Sequence, residues 1–335
     1  MIINVGLIGL GKIGALYDID NNNLMSHLKT IINDKRFNLQ FAYDPADDVC
    51  NVIRNKYNLS NIYSSIKDIK KLSPKIDLLI IASPTSFHLE SIELMVDFTN
   101  PILVLCEKPL ALNQQELDDI HMAYLAAGAR GILPKLMIGY NRRFSPLTQK
   151  MKEIVSRSPT PFSMIYTCNA GAIPADFWLQ DPELGGGRII GEACHFIDIA
   201  RFMADSPIEN IQAAAMKQPE GVTDCQDTAS ITVVFENGCI ASIHYFANGH
   251  KSFAKERIEV FQGEQITVID NFRALIGFGV PGFKKKKLLR QNKGQVECCQ
   301  AFVKSIEKGI ENPVSYEEQM EVSQACLEIM KLLNN

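Results

Sequence analysis

The chain reads as an α/β protein: an N-terminal doubly wound, mainly parallel Rossmann sheet followed by an α+β domain with a large, mainly antiparallel open sheet. Three observations predict this. Short apolar β runs alternate with helix-periodic segments as far as residue 139, the grammar of a parallel sheet covered by helices. A glycine-rich turn, Gly9-Leu10-Gly11-Lys12-Ile13-Gly14, follows the first of those runs directly. Past Phe144 the pattern changes to β runs joined by glycine-bearing turns, as in an antiparallel sheet. A length of 335 residues exceeds one compact domain, so two are expected, 1–141 and 142–335.

The first strand is predicted at 2–8 and enters Gly9 without a spacer; helix-compatible sequence resumes beyond Gly14. Buried strands are expected at 39–43, 76–82, 102–106 and 136–139. Between them, 87–98 places Leu89, Ile92 and Val96 on one helical stripe. Asn113 with Glu116 forms a capping-box-like start, Leu117, Ile120 and Tyr124 supply that helix's buried face, and Gly128 is its expected stop. In the second half Pro159-Thr160-Pro161 punctuates the chain, and strands at 228–236 and 239–246 flank Asn237-Gly238, a strong hairpin signal. Strands at 257–261 and 265–269 flank a second glycine turn, and helices are expected at 191–203, 296–308 and 316–333.

Composition narrows the functional classes. A net charge of -4 provides no basic footprint for nucleic acid. The basic run 284–287 reads as a solvated loop or strand edge. Nine cysteines occur without a Cys-x-x-Cys pair or zinc spacing, so no metal is expected and the thiols read as reduced, in a cytoplasmic protein. The apolar stretch 2–16 fits a strand and phosphate turn better than a signal peptide, and no run is long enough to cross a bilayer.

In the glycine turn, Gly9 permits the bend, Gly11 removes a side chain where a pyrophosphate approaches, and Gly14 lets helix and strand pack closely. The helix start then offers N–H groups to the anion. Asp44, at the end of the second predicted strand, can accept hydrogen bonds from ribose hydroxyls and repel a 2′-phosphate, which favours NAD over NADP. Its long spacing from Gly14 is attributed to an Asn- and Asp-rich loop at 18–23. Ser83, Pro84 and Thr85 fall where a doubly wound sheet opens its ligand crevice, with His88 just beyond, against the cofactor or satisfied at the surface. Lys108 ends another strand on that same edge. Beside a cationic nicotinamide a partly desolvated lysine has its charged form disfavoured, which suits it to exchange a proton with a hydroxyl. Glu107 could orient it. Further on, Gly185-Gly186-Gly187 approaches a helix on which Glu192 and His195, three residues apart, can share a face, an arrangement suited to proton transfer. Asp198 reads as a structural partner or cap. Arg142, Arg143 and Trp178 are candidates to hold a substrate, with Trp178 equally a core residue.

Taken together, these spaced motifs resemble the Gfo/Idh/MocA oxidoreductases. The resemblance rests on 9–14, Ser26-His27, Asp44, Ser83-Pro84-Thr85 with His88, Glu107-Lys108-Pro109, Asn141-Arg142-Arg143, and Gly185-Gly186-Gly187 leading to His195 and Asp198. It implies an oxidoreductase moving a hydride between a nicotinamide cofactor and a secondary hydroxyl or ketone of a sugar, nucleotide sugar or cyclic polyol. It further implies Lys108 and His195 as proton-transfer residues, and a homodimer or homotetramer formed through the C-terminal sheet. A non-catalytic NAD-binding regulator and a redox-assisted, NAD-dependent glycosidase are the alternatives within the family. One departure stands out. Where such proteins often carry an aspartate four residues before the histidine, this chain has Gly191, and the adjacent Glu192 lies about 100° further round the helix.

Overall fold

The computed structural model describes residues 2–21, 24–72, 74–93, 103–129, 135–174, 176–217, 228–308 and 312–334. Val96 and Ile102 of the predicted elements lie outside these residues. The chain divides into two compact units, Met1–Gly139 with Ser305–Tyr316, and Tyr140–Lys304 with Glu317–Asn335.

The first unit is built on β1 (Ile3–Ile8), β2 (Phe37–Tyr43), β3 (Ile62–Tyr63), β4 (Leu78–Ile81), β5 (Leu103–Cys106) and β6 (Lys135–Ile138). They form a wholly parallel sheet in the order β3-β2-β1-β4-β5-β6. Strand order therefore reverses between β1 and β4, which opens a crevice at the carboxyl ends of those strands. All four residues of β4 and of β5 are buried, as expected of strands covered on both faces. Helices α1 (His27–Asn33), α2 (Asp47–Tyr57), α3 (Ile66–Leu72), α4 (His88–Glu93) and α5 (Gln114–Ala129) fall between strands. The predicted cap is present: Asn113 Oδ1 accepts from the Glu116 N–H at 2.9 Å, and the Glu116 carboxylate accepts from the Leu112 N–H at 2.8 Å. Leu117 and Ile120 are buried beneath it.

The second unit carries β7 (Ser163–Asn169), β8 (Ile208–Ala215), β9 (Ala229–Phe235), β10 (Ile240–Phe246), β11 (Glu256–Gln262), β12 (Gln265–Asp270), β13 (Ala274–Phe278) and β14 (Lys285–Lys287). Their order is β14-β13-β12-β11-β7-β10-β9-β8. Every pairing is antiparallel except β7 with β10. The hairpin at Asn237-Gly238 closes through the Phe235 N–H on the Cys239 carbonyl at 3.0 Å, with Gly238 at φ +81°, the left-handed position that a three-residue loop reserves for glycine. Helix α6 (Pro146–Val155) and helix α7 (Cys194–Ala204), the latter entered by a π-helical turn at Ile189–Ala193, belong to this unit. The C-terminal segment supplies α8 (Gln295–Lys308) and α9 (Tyr316–Asn334). β7 was absent from the sequence prediction because Ser, Thr, Cys and Asn interrupt its apolar run; its signal was the alternation of buried Met164, Tyr166 and Cys168 with the half-buried Ile165 and Thr167. The lysine run forms the exposed edge strand β14, a charge pattern that discourages edge-to-edge pairing.

Candidate active site

The glycine turn leaves β1 on the crevice edge, and its three glycines do three separable things. Gly9 has φ +88°, and a Cβ there would collide with the Ala82 and Ser83 backbone at the end of β4. A Cβ at Gly14 would run into the Gly9 carbonyl, so the following helical turn, Lys12–Leu16, sits directly on the loop. A Cβ at Gly11 meets nothing within 4 Å. The two outer glycines are thus required by the protein's own packing, while the middle one faces open space. Such a cradle fits the phosphate-bearing part of a dinucleotide, with Gly11 where the ligand comes closest.

Asp44 braces this loop. Its Oδ2 accepts from the Leu10 N–H at 2.8 Å and its Oδ1 from the Ala46 N–H at 3.0 Å, each oxygen keeping capacity for a further donor. The chain beyond the turn is clasped by Asp18, which is fully buried and accepts from the N–H groups of Met25 and Ser26 and from Ser26 Oγ. Burial works against the Asp18 charge, but these hydrogen bonds outweigh it and hold the carboxyl below its ordinary value. Ser26 in turn caps α1. Asp18 and Ser26 therefore anchor the loop whose composition the sequence read only as an extension.

At the end of β4, among the described residues, the buried Ser83 Oγ has no hydrogen-bond partner. Pro84 is exposed and Thr85 buried. His88 is not at the surface: it is buried with Nδ1 3.2 Å from the Leu110 carbonyl and Nε2 3.2 Å from that of Ser83. Burial lowers its pKa, outweighing both carbonyls. His88 ties the end of β4 to the chain leaving β5.

Glu107 and Lys108 follow β5, with Lys108 half-buried and joined to Pro109 by a cis peptide bond. Glu107 Oε1 lies 2.8 Å from His27 Nε2, a buried pair that sequence spacing could not foretell across 80 residues. Burial opposes the Glu107 charge, but the His27 ring and the Lys108 ammonium together hold the carboxyl below its usual range.

In the second unit, His195 is buried in the first turn of α7, its ring edge-on to Tyr140 at 6.1 Å between centroids. Glu192 is half-buried; Tyr245 Oη donates to its Oε2, and Arg188 and Lys255 approach it at 3.5 Å and 3.9 Å. Repulsion from that carboxylate adds to burial in raising the Tyr245 pKa. The space beside Gly191 is filled by Leu179, whose Cδ1 a Cβ there would strike. The glycine is thus matched to an apolar neighbour from the turn Trp178–Gln180. Trp178 itself is exposed, which excludes the core reading.

The two arginines are both paired with buried carboxylates. Arg142 forms a bidentate pair with the fully buried Glu256, at 2.7 and 3.1 Å. Arg143 pairs with the fully buried Asp198 at 3.0 and 2.5 Å and reaches Glu318 at 2.9 Å. A guanidinium that shares its fork with a buried carboxylate is committed to the fold. Their carboxylate partners, Glu256 and Asp198, lie 114 and 55 residues away in the chain, beyond the reach of sequence spacing.

Among the described residues no cluster of histidine, cysteine and carboxylate side chains could hold a metal ion, no helix is long and apolar enough to cross a membrane, and every cysteine is a free thiol.

Comparisons with known proteins agree with this geometry. A family model described as an oxidoreductase family with an NAD-binding Rossmann fold matches residues 3–131, and the GFO/IDH/MocA C-terminal domain matches 159–268. The chain is 28% identical over 276 residues to the uncharacterized oxidoreductase YrbE of Bacillus subtilis, spanning 81% of this chain and 74% of that one. It is 24% identical over 328 residues to the myo-inositol 2-dehydrogenase of Thermotoga maritima, spanning 94% and 92%. The solved WlbA dehydrogenase from Bordetella pertussis, in complex with NADH and UDP-GlcNAcA, shares the fold with a TM-score of 0.77 at 15% identity, over 100% of this chain and 97% of that one. With both family domains matched in order over a glycine cradle that fits a dinucleotide, the chain belongs to the Gfo/Idh/MocA family of nicotinamide-dependent oxidoreductases.

Proposed function

We propose that this oxidoreductase interconverts a secondary alcohol and ketone on a sugar, nucleotide sugar or cyclic polyol, using NAD in preference to NADP. The observation that carries the reading is the common edge of one parallel sheet, where the Gly11 opening after β1, the Ser83 hydroxyl after β4 and Lys108 after β5 follow adjacent strands. When bound, the nicotinamide supplies the hydride chemistry. Gly9, Gly11, Lys12, Ile13 and Gly14 would receive the pyrophosphate, and Ser83, Pro84, Thr85 and Glu107 would border the ribose and nicotinamide. Asp44 would take the adenosine ribose; its carboxylate, already oriented by two backbone N–H groups, favours hydroxyls there and opposes a 2′-phosphate.

Lys108 and His195 would manage the hydroxyl proton, with Glu192 as an additional carboxylate and Trp178 as an apolar platform for a ring. The names of the inositol dehydrogenase and of the complex with UDP-GlcNAcA support this substrate class. The domain boundary is proposed at 141/142, the assembly as a homodimer or homotetramer through the β7–β14 sheet, and the location as cytoplasmic, which the free thiols support.

The test is turnover of myo-inositol, free aldoses and UDP-sugars with NAD, followed by absorbance of the reduced cofactor. In Lys108→Ala, kcat is expected to fall by roughly 10²–10⁴-fold with cofactor affinity kept. Equal loss of both would make the lysine structural. Product formation without net NAD consumption would indicate the glycosidase, and tight NAD binding with no turnover of any alcohol the regulator.

A further inference from the structure

We propose that Tyr245 is a positioning residue for Glu192, and that the carboxylate it fixes is a specificity-determining acceptor for a hydroxyl of the substrate. This rests on reading the entry to α7, with His195, as the substrate side of the site. Three groups converge on one carboxylate oxygen: Tyr245 Oη donates to Glu192 Oε2, and Arg188 Nη2 and Lys255 Nζ lie 3.5 Å and 3.9 Å from the same atom. An ionised carboxylate has about four acceptor positions over its two oxygens. The Glu192 side chain is 30% exposed, so it is held by the protein and still within reach of a ligand.

The support behind that carboxylate is rigid. Tyr245 is fully buried on β10, which pairs with β7 on one side and β9 on the other. Its ring stacks at 6.0 Å on Phe196, the chain neighbour of His195, and Phe196 packs on Tyr166 at 4.4 Å. The Arg188 guanidinium lies 5.3 Å from the Tyr245 ring centroid and donates to the Gly171 carbonyl at 2.6 Å. Burial and the neighbouring carboxylate raise the Tyr245 pKa, so the hydroxyl keeps its proton and remains a donor at neutral pH. Glu192 itself sits in the π-helical turn Ile189–Ala193, a wider turn that occurs often at functional sites. A group braced by a packed strand is placed more precisely than one on a loop. Such a fixed carboxylate selects for a donor: a substrate hydroxyl there gains a charge-assisted hydrogen bond, and an analogue lacking it leaves the acceptor unmatched.

Two measurements on the full-length protein separate the holding from the binding. Carboxyl footprinting with a carbodiimide and glycine ethyl ester, quantified by mass spectrometry without cofactor or substrate, reads the holding. Labelling of Glu192 should rise about threefold or more in Tyr245→Phe, which loses one hydrogen bond to the carboxylate, while the wholly buried Glu256 stays unlabelled in both proteins. Steady-state kinetics with NAD on myo-inositol, free aldoses and UDP-sugars reads the binding. On whichever of these is turned over, Tyr245→Phe should raise KM about tenfold and leave kcat within about threefold of wild type. In a Glu192→Ala background, where KM is raised at least as far, adding Tyr245→Phe should change KM by less than about twofold, as expected of a residue that acts through Glu192. Unchanged Glu192 labelling in Tyr245→Phe, labelling that appears at Glu256 as well, a fall in kcat at constant KM, or KM effects that multiply in the double variant overturns the proposal. If the wild-type protein turns over none of these substrates, the proposed function falls, and the footprint alone decides whether Tyr245 holds Glu192.

Discussion

At the scale of single residues, the glycines separate what the fold needs from what a ligand needs. Gly11→Ala should leave thermal stability within about 0.5 kcal/mol, because its Cβ enters open space. Cofactor affinity should nonetheless fall by an order of magnitude or more, since that space is where the pyrophosphate would lie. Calorimetric titration with NADH beside a melting curve checks both; a Gly11→Ala protein that binds as wild type would remove the cradle from the site. Gly191 makes the complementary case. Its missing side chain is replaced by Leu179, so Gly191→Asp should destabilise by about 1–3 kcal/mol through overpacking. Adding Leu179→Ala should restore much of the loss. Urea midpoints of the single and double variants decide, and additive effects would show that the two positions are independent.

At the scale of elements, the signals that worked were local and chemical. The cap at Asn113 was written in the spacing to Glu116, and the hairpin in Asn237-Gly238, because turn and cap residues act on backbone within three positions of themselves. Asn113→Ala should therefore cost about 1 kcal/mol, measured as a shift in the urea midpoint at unchanged slope; no shift would make the cap ornamental. Strands written in weaker alphabets were harder to see. β7 lies between β10 and β11, yet its Ser, Thr and Asn positions hide the alternation, and its β character comes from pairing on both edges. Helix α7 begins one turn later than its periodicity suggests, after the π-helical turn that holds Gly191 and Glu192.

At the scale of the whole molecule, the buried Glu256 is a hub on which distant segments meet. It accepts from Arg142, from Tyr166 Oη at 2.5 Å and from Lys293 at 2.5 Å. Burial alone would raise its pKa, but the Arg142 and Lys293 charges reverse the sign and pull it well below its ordinary 4.5. A carboxyl depressed in the folded state contributes stability at pH values above its unfolded pKa and loses it as pH falls toward the folded one. The melting temperature should thus decline as pH drops below about 4.5, and Glu256→Gln should show a shallower decline there. At pH 7 the same variant should be less stable by roughly 3–5 kcal/mol, because Arg142 and Lys293 keep buried charge without a counterion. Equal acid sensitivity in the two proteins would place the effect on other carboxylates.

The sequence by itself determined the fold class, the position of the glycine turn and the Glu107-Lys108-Pro109 strand end, because β-to-glycine junctions and 3.6-residue periodicity act over short spans of chain. Tertiary structure alone decided which charges are spent and which remain available. Folding brings Arg142, Arg143 and His88 partners that sequence spacing does not show: Glu256, Asp198, and the Ser83 and Leu110 carbonyls. His27 carried only its place in the resemblance until α1 set it against Glu107. The physical reason is range: backbone preferences are encoded within a few residues, whereas the pairing of a buried charge is settled by whatever the topology places within about 3 Å of it.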